Sequence, residues 1–227
     1  MHERTDGHRP WILASLTAAD PAALGEAAER LVAAGVNGLH LDIADGAFVP
    51  YLTFGPRLVA ALRRTLPAVL LDVHLMVEAP EAYADDLARG GADRVTFHVE
   101  ATRYPWRVVT VFRRSGIPAV GVALNPATPV EAIDALRGTV PLVNALSTEP
   151  DLAGEAFLAS STDRLRTLRA RQGPEARLVV DGGIDEHNVG LAVAAGATDI
   201  VVGRSITGAD DWSAAVERLR AAAVRAA

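Results

Sequence analysis

The chain has 227 residues, a formal net charge of −6, no Cys and no Lys, so all 22 basic side chains are Arg. The lack of Lys excludes Schiff-base catalysis, pyridoxal phosphate chemistry and a P-loop, and the lack of Cys excludes a thiol nucleophile, disulfides and a Cys-based zinc site. The negative charge argues against nucleic acid as a partner, no apolar run approaches the roughly 20 residues of a membrane span, and the polar start predicts a cytoplasmic protein.

After a polar tail over residues 1–10, short β-rich runs alternate with helical stretches. The predicted strands are Trp11–Leu16, Gly38–Ile43, Val69–Val73, Arg94–His98, Ala119–Leu124, Leu142–Leu146, Arg177–Val180 and Asp199–Val202. Between them, apolar residues at helical spacing predict further helical segments. Examples are Ala22–Ala34, Arg57–Thr65, Glu81–Arg89, Val130–Leu136, Asp163–Arg171 and Val189–Ala195, and Asp211–Arg225 is the last helix.

Proline and glycine support these boundaries. A proline stands at each of five predicted helix starts, where its missing N–H costs nothing: Pro21, Pro56, Pro80, Pro105 and Pro129. A glycine follows four predicted helices, where a left-handed conformation is favoured: Gly35, Gly91, Gly116 and Gly196.

Eight β–α units in this length predict an α/β protein with a single (βα)8 TIM barrel over residues 11–227. A doubly wound open sheet is the alternative, but no G-x-G-x-x-G follows the first strand. In either fold, the chemistry belongs at the C-terminal ends of the strands.

Polar side chains end three of the predicted strands. His40 and Asp42 end the second, His74 follows the third and Asp181 follows the seventh. Strand alternation places His40 and Asp42 on one face, toward the barrel interior, so the four should converge. Two imidazoles and two carboxylates suit one divalent ion of Zn, Fe, Mn or Co, and suit Mg or Ca less well. The alternative is that each is simply a hydrogen-bonded polar residue at a strand end.

From about Trp11 to Ile206 the sequence resembles the ribulose-phosphate 3-epimerase family. The stretches that carry the resemblance are HLDIADGAFVP (His40–Pro50), LDVHLMVEAP (Leu71–Pro80), FHVEA (Phe97–Ala101), GVALNPATPVE (Gly121–Glu131) and VDGGI (Val180–Ile184). The resemblance implies that His40, Asp42, His74 and Asp181 are metal ligands and that Asp42 and Asp181 carry protons. It also implies that His98 lies near the site without being a ligand. Orotidine-phosphate decarboxylases and hexulose-phosphate synthases share the barrel but use a lysine that this chain lacks.

The implied activity is 3-epimerisation of a ketose phosphate, D-ribulose 5-phosphate to D-xylulose 5-phosphate. Epimerisation beside a ketone needs two acid/base groups on opposite faces of a planar enediolate, and positive charge at its oxygens. The resemblance implies a substrate hydrogen bond from Ser15, whose other interpretation is a helix cap. It also implies a site lined by Met76. Phosphate is expected on the loops after strands seven and eight, at Gly182, Gly183 and Gly203.

In the family, the loop after strand six closes over the substrate and helps to hold its phosphate, which implies substrate binding at Gly154. In this chain the loop departs from the family pattern. It keeps Pro150 and Gly154 but carries Glu149, Asp151 and Glu155, whose charges would repel phosphate unless they face solvent. The substrate-facing shell differs as well: Ala44 and Leu146 replace methionines, and Ala47 and Tyr51 replace a histidine and an asparagine. Arg204 replaces a small residue, and it either binds phosphate or is a solvent-exposed charge.

Three functions therefore stay open. The first is ribulose-5-phosphate epimerisation, and the second is the same chemistry on another ketose or ketose phosphate, of the allulose-6-phosphate type or specific to one pathway. The third is a non-catalytic barrel used for binding, which the retention of all four ligand positions disfavours. The resemblance also implies a homo-oligomer.

Overall fold

The computed structural model describes residues 9–150 and 156–225. Eight parallel strands form one closed barrel in chain order, with β8 paired to β1. The strands are β1 (Trp11–Ser15), β2 (Gly38–Ala44), β3 (Leu70–Met76), β4 (Arg94–His98), β5 (Ala119–Leu124), β6 (Leu142–Leu146), β7 (Arg177–Asp181) and β8 (Asp199–Val202). The predicted (βα)8 barrel is confirmed, and closure of the sheet excludes the open doubly wound alternative.

Helices surround the barrel. They are α1 (Leu24–Ala33), α2 (Pro56–Thr65), α3 (Ala84–Gly90), α4 (Pro105–Ser115), α5 (Ser161–Gln172), α6 (Val189–Ala194), α7 (Arg204–Thr207) and α8 (Trp212–Val224). Among the described residues, no helix is long and apolar enough to cross a membrane. Of the predicted tail, only Arg9 and Pro10 fall inside the described part of the chain.

Three predicted helical segments take a different form. The segment predicted over Ala22–Ala34 begins as a 3-10 turn, Pro21–Ala23, before α1. Val130–Leu136 is a 3-10 helix rather than an α-helix. Its buried residues Val130, Ile133 and Leu136 recur every third position, which matches the three residues per turn of that helix. The segment predicted over 81–89 divides into a 3-10 turn, Pro80–Tyr83, followed by α3.

The glycine boundaries are confirmed. Gly35, Gly91, Gly116 and Gly196 have φ angles of +90°, +81°, +97° and +102°, a conformation that glycine adopts without steric cost. The strands that follow these turns therefore begin where the sequence predicts.

The barrel interior is layered along its axis. The end where the strands begin holds a charged group around Asp199, which contacts Arg94 and Arg177. Above it lies a small apolar cluster of Leu13, Leu142, Val179 and Val201. The main hydrophobic core is separate and contains residues of both strands and helices. The polar residues at the C-terminal strand ends thus rest on a packed apolar layer.

Candidate metal and substrate site

Four predicted residues converge at the C-terminal end of the barrel. His40, Asp42, His74 and Asp181 each offer a donor atom, and these atoms all lie within 4.8 Å of one another. Strand register places Asp42 of β2 beside His74 of β3. Asp181 comes from β7, which β8 and β1 separate from β2 in the closed barrel. The expectation that these side chains meet is confirmed.

Both imidazoles face both carboxylates. His40 Nε2 lies 3.1 Å from Asp42 Oδ1 and 3.2 Å from Asp181 Oδ2. His74 Nδ1 lies 3.1 Å and 3.3 Å from the same two oxygens. The two histidines are fully buried, whereas the two aspartates are each 8% exposed, so the imidazoles lie beneath the carboxylates.

The outer nitrogen of each imidazole has its own partner. His40 Nδ1 lies 2.8 Å from Asp72 Oδ2, and His74 Nε2 lies 2.9 Å from His98 Nε2. The two rings therefore present different nitrogens to the site, Nε2 from His40 and Nδ1 from His74. An outer-nitrogen partner of this kind fixes the tautomer and orientation of a ligating histidine.

The electrostatics of the metal-free cluster favour ion pairs. Burial alone would lower the pKa of His40, but Asp42 and Asp181 outweigh it and raise that pKa well above its ordinary value. Burial and the same two carboxylates act likewise on His74, with a raised pKa as the result. Burial alone would raise the pKa of Asp181, but His40 and His74 lower it to about 2. The carboxylates are thus ionised at neutral pH, as metal ligands and proton acceptors must be.

The donor set fits a divalent metal ion. Two nitrogen and two carboxylate oxygen donors suit zinc, iron, manganese or cobalt, and the only such cluster found among the described residues is this one. A cation at its centre would stabilise the two ionised carboxylates.

A cavity of about 710 Å³ opens above the cluster. Six of the seven predicted substrate-binding residues line it: Ser15, Met76, Gly182, Gly183, Gly203 and Arg204. The seventh, Gly154, lies outside the described residues. A volume of this size is typical of a small-molecule site.

Two hydroxyl groups hold the outer oxygen of Asp42. Ser15 Oγ donates to Asp42 Oδ2 at 2.9 Å, and Thr17 Oγ1 donates to the same oxygen at 2.7 Å. Thr17 is not among the residues predicted from the sequence, although a second hydroxyl two positions after Ser15 indicates a further donor. On the other carboxylate, Asn144 Nδ2 lies 3.4 Å from Asp181 Oδ2. The two aspartates therefore have different hydrogen-bond environments.

Glycine is required where the loop after β7 meets the segment after β6. Gly182 and Gly183 have φ angles of +116° and +66°. A Cβ on Gly182 would lie 2.5 Å from Thr148 Oγ1, and one on Gly183 would lie 2.4 Å from the backbone nitrogen of Phe157. Close packing of two backbone segments, rather than an open loop, thus explains this glycine pair.

The positions that depart from the family pattern differ in where they lie relative to the cavity. Tyr51 and Leu146 line the cavity, and Ala44 is buried beside Met76. Ala47 and Glu149 are exposed and do not line the cavity, so Glu149 meets the condition that its charge face solvent. Asp151 and Glu155 lie outside the described residues. Arg204 is exposed and lines the cavity, and no described residue pairs with its guanidinium.

Comparison with known proteins gives one consistent family. The sequence model of the Ribulose-phosphate 3 epimerase family matches residues 11–207. The chain is 35% identical over 212 residues to ribulose-phosphate 3-epimerase of Escherichia coli (strain K12), covering 92% of this chain and 94% of that one. It is 37% identical to ribulose-phosphate 3-epimerase, cytoplasmic isoform, of Oryza sativa subsp. japonica, covering 92% of each.

The fold has counterparts among solved structures. The crystal structure of 3-hexulose-6-phosphate synthase from Salmonella typhimurium superposes with a TM-score of 0.72 at 16% identity, covering 96% of this chain and 100% of that one. At this identity the likeness concerns the barrel alone.

Proposed function

Because the chain belongs to the ribulose-phosphate 3-epimerase family and is an isomerase of carbohydrates, we propose that it interconverts D-ribulose 5-phosphate and D-xylulose 5-phosphate. The observation that carries the proposal is the pair of ionised carboxylates, Asp42 and Asp181, at the floor of the cavity. They approach one point from two strands that are not neighbours.

In the proposed reaction, one carboxylate removes the proton at C3 and the other returns a proton to the opposite face. Inversion requires two separate acid/base groups, because a single group would return the proton to the face it came from. Asp42 and Asp181 exchange these roles between the forward and reverse reactions. Ser15 and Thr17 donate to Asp42 Oδ2, and these hydrogen bonds hold the carboxylate in orientation.

His40 and His74 would hold a divalent metal together with the two aspartates. The bound cation would supply positive charge against the negative charge that develops on the ketone and hydroxyl oxygens of the substrate. Asp72 fixes the ring of His40, so that Nε2 is presented to the site.

We place the phosphate at the loops after β7 and β8. Gly182, Gly183 and Gly203 border the cavity there, and no side chain caps the start of α7 at Arg204. Arg204 adds a guanidinium with no partner among the described residues, and this group suits bidentate contact with phosphate. The same positive charge would disfavour an unphosphorylated ketose relative to its phosphate.

A second candidate is the same chemistry on another ketose phosphate. Tyr51 and Leu146 in the cavity wall favour it, because these positions depart from the family pattern while the four-residue cluster does not. The non-catalytic barrel is set aside, because the chain belongs to a family of isomerases and keeps the complete pair of acid/base carboxylates. A cytoplasmic location for this chain is supported by the name of the rice relative, a cytoplasmic isoform. That the chain forms a homo-oligomer stays a prediction, which light scattering would test.

The test is hydrogen exchange at C3. The protein is loaded separately with zinc, iron, manganese and cobalt and mixed in D2O with D-ribulose 5-phosphate, D-allulose 6-phosphate or unphosphorylated D-ribulose. The C3 proton signal of ribulose 5-phosphate should disappear as xylulose 5-phosphate forms, and D-ribulose should react far more slowly. Exchange confined to another ketose would reassign the substrate. No exchange with any ketose, together with no bound metal by elemental analysis, would overturn the proposed function.

A further inference from the structure

We propose that Glu100, acting through His98, is a positioning residue that fixes the tautomer of His74 and strengthens its binding of the metal. The proposal rests on the metal site proposed above. His98 and Glu100 lie at and just beyond the end of β4, and neither belongs to the four-residue cluster.

Metal binding by His74, taken together with the hydrogen-bond geometry, assigns a position to each proton. His74 Nδ1 faces Asp42 and Asp181, so it must be unprotonated to bind a metal. A neutral ring then carries its proton on Nε2, where the partner is His98 Nε2 at 2.9 Å. Because His98 Nε2 accepts this hydrogen bond, a neutral His98 carries its own proton on Nδ1. This proton points to Glu100 Oε2 at 3.1 Å, which completes a chain from carboxylate to ligand.

Glu100 is held on its other side by the loop after β5. Its Oε1 accepts a hydrogen bond from the backbone N–H of Asn125 at 2.8 Å and another from the hydroxyl of Thr128. Arg164 of α5 in turn donates to the carbonyl of Asn125 at 2.8 Å. With Oε1 committed to two donors, Oε2 is the oxygen left for His98, so the carboxylate cannot rotate without losing hydrogen bonds.

The ring of His98 is equally restrained. It is fully buried, and Phe48 packs against it with 4.8 Å between ring centroids. The two metal-facing histidines are therefore oriented in different ways: His40 by direct contact with Asp72, and His74 by a carboxylate that acts through an intervening imidazole. A negative charge at the far end of such a chain raises the basicity of the ligand.

The first measurement is the tautomer of each histidine, by NMR of the full-length protein with 15N-labelled histidine in its zinc-loaded form. His74 should carry its proton on Nε2, and His98 on Nδ1. The variant Glu100→Gln keeps the size of the side chain and its acceptor for Asn125, but turns an N–H donor toward His98. We expect His98 to move its proton to Nε2 in this variant and to lose its acceptor role toward His74.

The second measurement is the zinc dissociation constant, by competition with a chromogenic chelator. Loss of an outer-shell partner typically weakens metal binding about 10- to 100-fold, so Glu100→Gln and His98→Leu should both show a loss of that size. Glu131→Gln is the matched control, because Glu131 is a largely exposed carboxylate paired with Arg171. Its zinc affinity should equal that of the wild type.

The outcomes separate this inference from the proposed function. If the wild type binds no zinc, the proposed metal site itself fails. If the wild type binds zinc but His98 carries its proton on Nε2, the inference is overturned and the metal site stands. Wild-type affinity in a folded Glu100→Gln or a folded His98→Leu protein would overturn it in the same way. Two variants at different positions keep the test decisive if one of them does not fold.

Discussion

Asp42 and Asp181 offer the most direct test of the two-carboxylate chemistry at the level of single residues. Asp42→Asn and Asp181→Asn keep side-chain size but remove the basic oxygen, and loss of a general base typically lowers the rate about 10²- to 10⁴-fold. We expect each variant to lose epimerisation to this extent or more, because each also removes a metal ligand. Steady-state kinetics, with metal content and circular dichroism recorded beside them, check the prediction.

The matched control is Asp163→Asn, since the Asp163 side chain is 88% exposed on α5. It should retain full activity. An active Asp181→Asn enzyme would contradict the assignment of that carboxylate as a proton carrier.

Competition between protons and metal should make zinc affinity depend on pH. Despite burial, Asp42 and Asp181 raise the pKa of both His40 and His74 in the metal-free protein, so zinc must displace protons from these rings. Zinc affinity should therefore rise as the pH increases through the raised histidine pKa values, by up to about 100-fold per pH unit where both rings titrate. The two aspartates, with lowered pKa values, add no competition at neutral pH.

Titration calorimetry between pH 6 and pH 8, in buffers of different ionisation enthalpy, measures the affinity and the protons released. The number of protons released per zinc should decrease as pH rises. An affinity that does not change over this interval would show that the rings are already neutral.

Arg204 allows a test of where the phosphate binds. Its guanidinium is exposed at the cavity and has no partner among the described residues. A charged hydrogen bond contributes about 1.5–3 kcal/mol, so Arg204→Ala should raise KM for the phosphorylated substrate by roughly 10- to 100-fold while leaving kcat within a few-fold. The comparison is Arg225→Ala, at the end of α8. Equal KM values in the wild type and Arg204→Ala would assign Arg204 to the solvent-exposed surface.

At the level of elements, the loop after β7 and the segment after β6 depend on each other. Alanine at Gly183 would place Cβ 2.4 Å from the backbone nitrogen of Phe157, and φ at this position is +66°. Both segments line the cavity, so the collision must displace the cavity wall. We expect Gly183→Ala to raise KM more than tenfold and to leave zinc affinity unchanged.

Gly138→Ala is the control, because Gly138 has φ of +71° but no atom within 4 Å of the added carbon. It carries the same backbone strain of about 1–2 kcal/mol without the collision. Kinetic constants and thermal unfolding of both variants separate the two effects. A similar KM in both would contradict the coupling of the loops.

The elements were largely predictable because each strand is a compact run bounded by glycine or proline. All eight predicted strands form. Their number and order were enough to predict the closed barrel. The α5 prediction lay within two residues of the observed helix. The form of Val130–Leu136 was not predicted, because a short segment with buried residues every third position fits either helix type.

The site residues were predictable where polar side chains stand at the end of a single predicted strand. His40, Asp42 and Asp181 follow from alternation at strand ends, but their supporting partners do not. Asp72 reaches His40 across a strand pair, and His98 lies 24 positions from His74. These contacts depend on the register between strands and on which nitrogen each imidazole ring presents. Neither can be predicted from the local sequence pattern.

For the whole molecule, the barrel separates chemistry from stability along its axis. The cluster at the C-terminal strand ends faces the cavity, whereas Asp199 at the opposite end is fully buried and contacts two arginines. Trp11 stacks with these arginines, at 4.9 Å from Arg94 and 4.1 Å from Arg177. The charged group joins strands β1, β4, β7 and β8, and so it ties non-adjacent strands together across the barrel.

Asp199→Ala should destabilise the protein without impairing catalysis. Removal of one partner from a buried ion pair typically costs about 3–5 kcal/mol, and here it leaves Arg94, only 8% exposed, without its carboxylate. Arg177 and Asp181 are four residues apart on β7, or about 13 Å along the strand, so the cluster should keep its geometry. Urea unfolding and kcat measure the two effects separately.

Asp86→Ala, which breaks a pair whose side chains are 61% and 72% exposed, should have almost no effect on stability. Equal stability losses in the two variants would contradict the role given to burial, and a loss of kcat in Asp199→Ala would show that the two ends of the barrel are coupled.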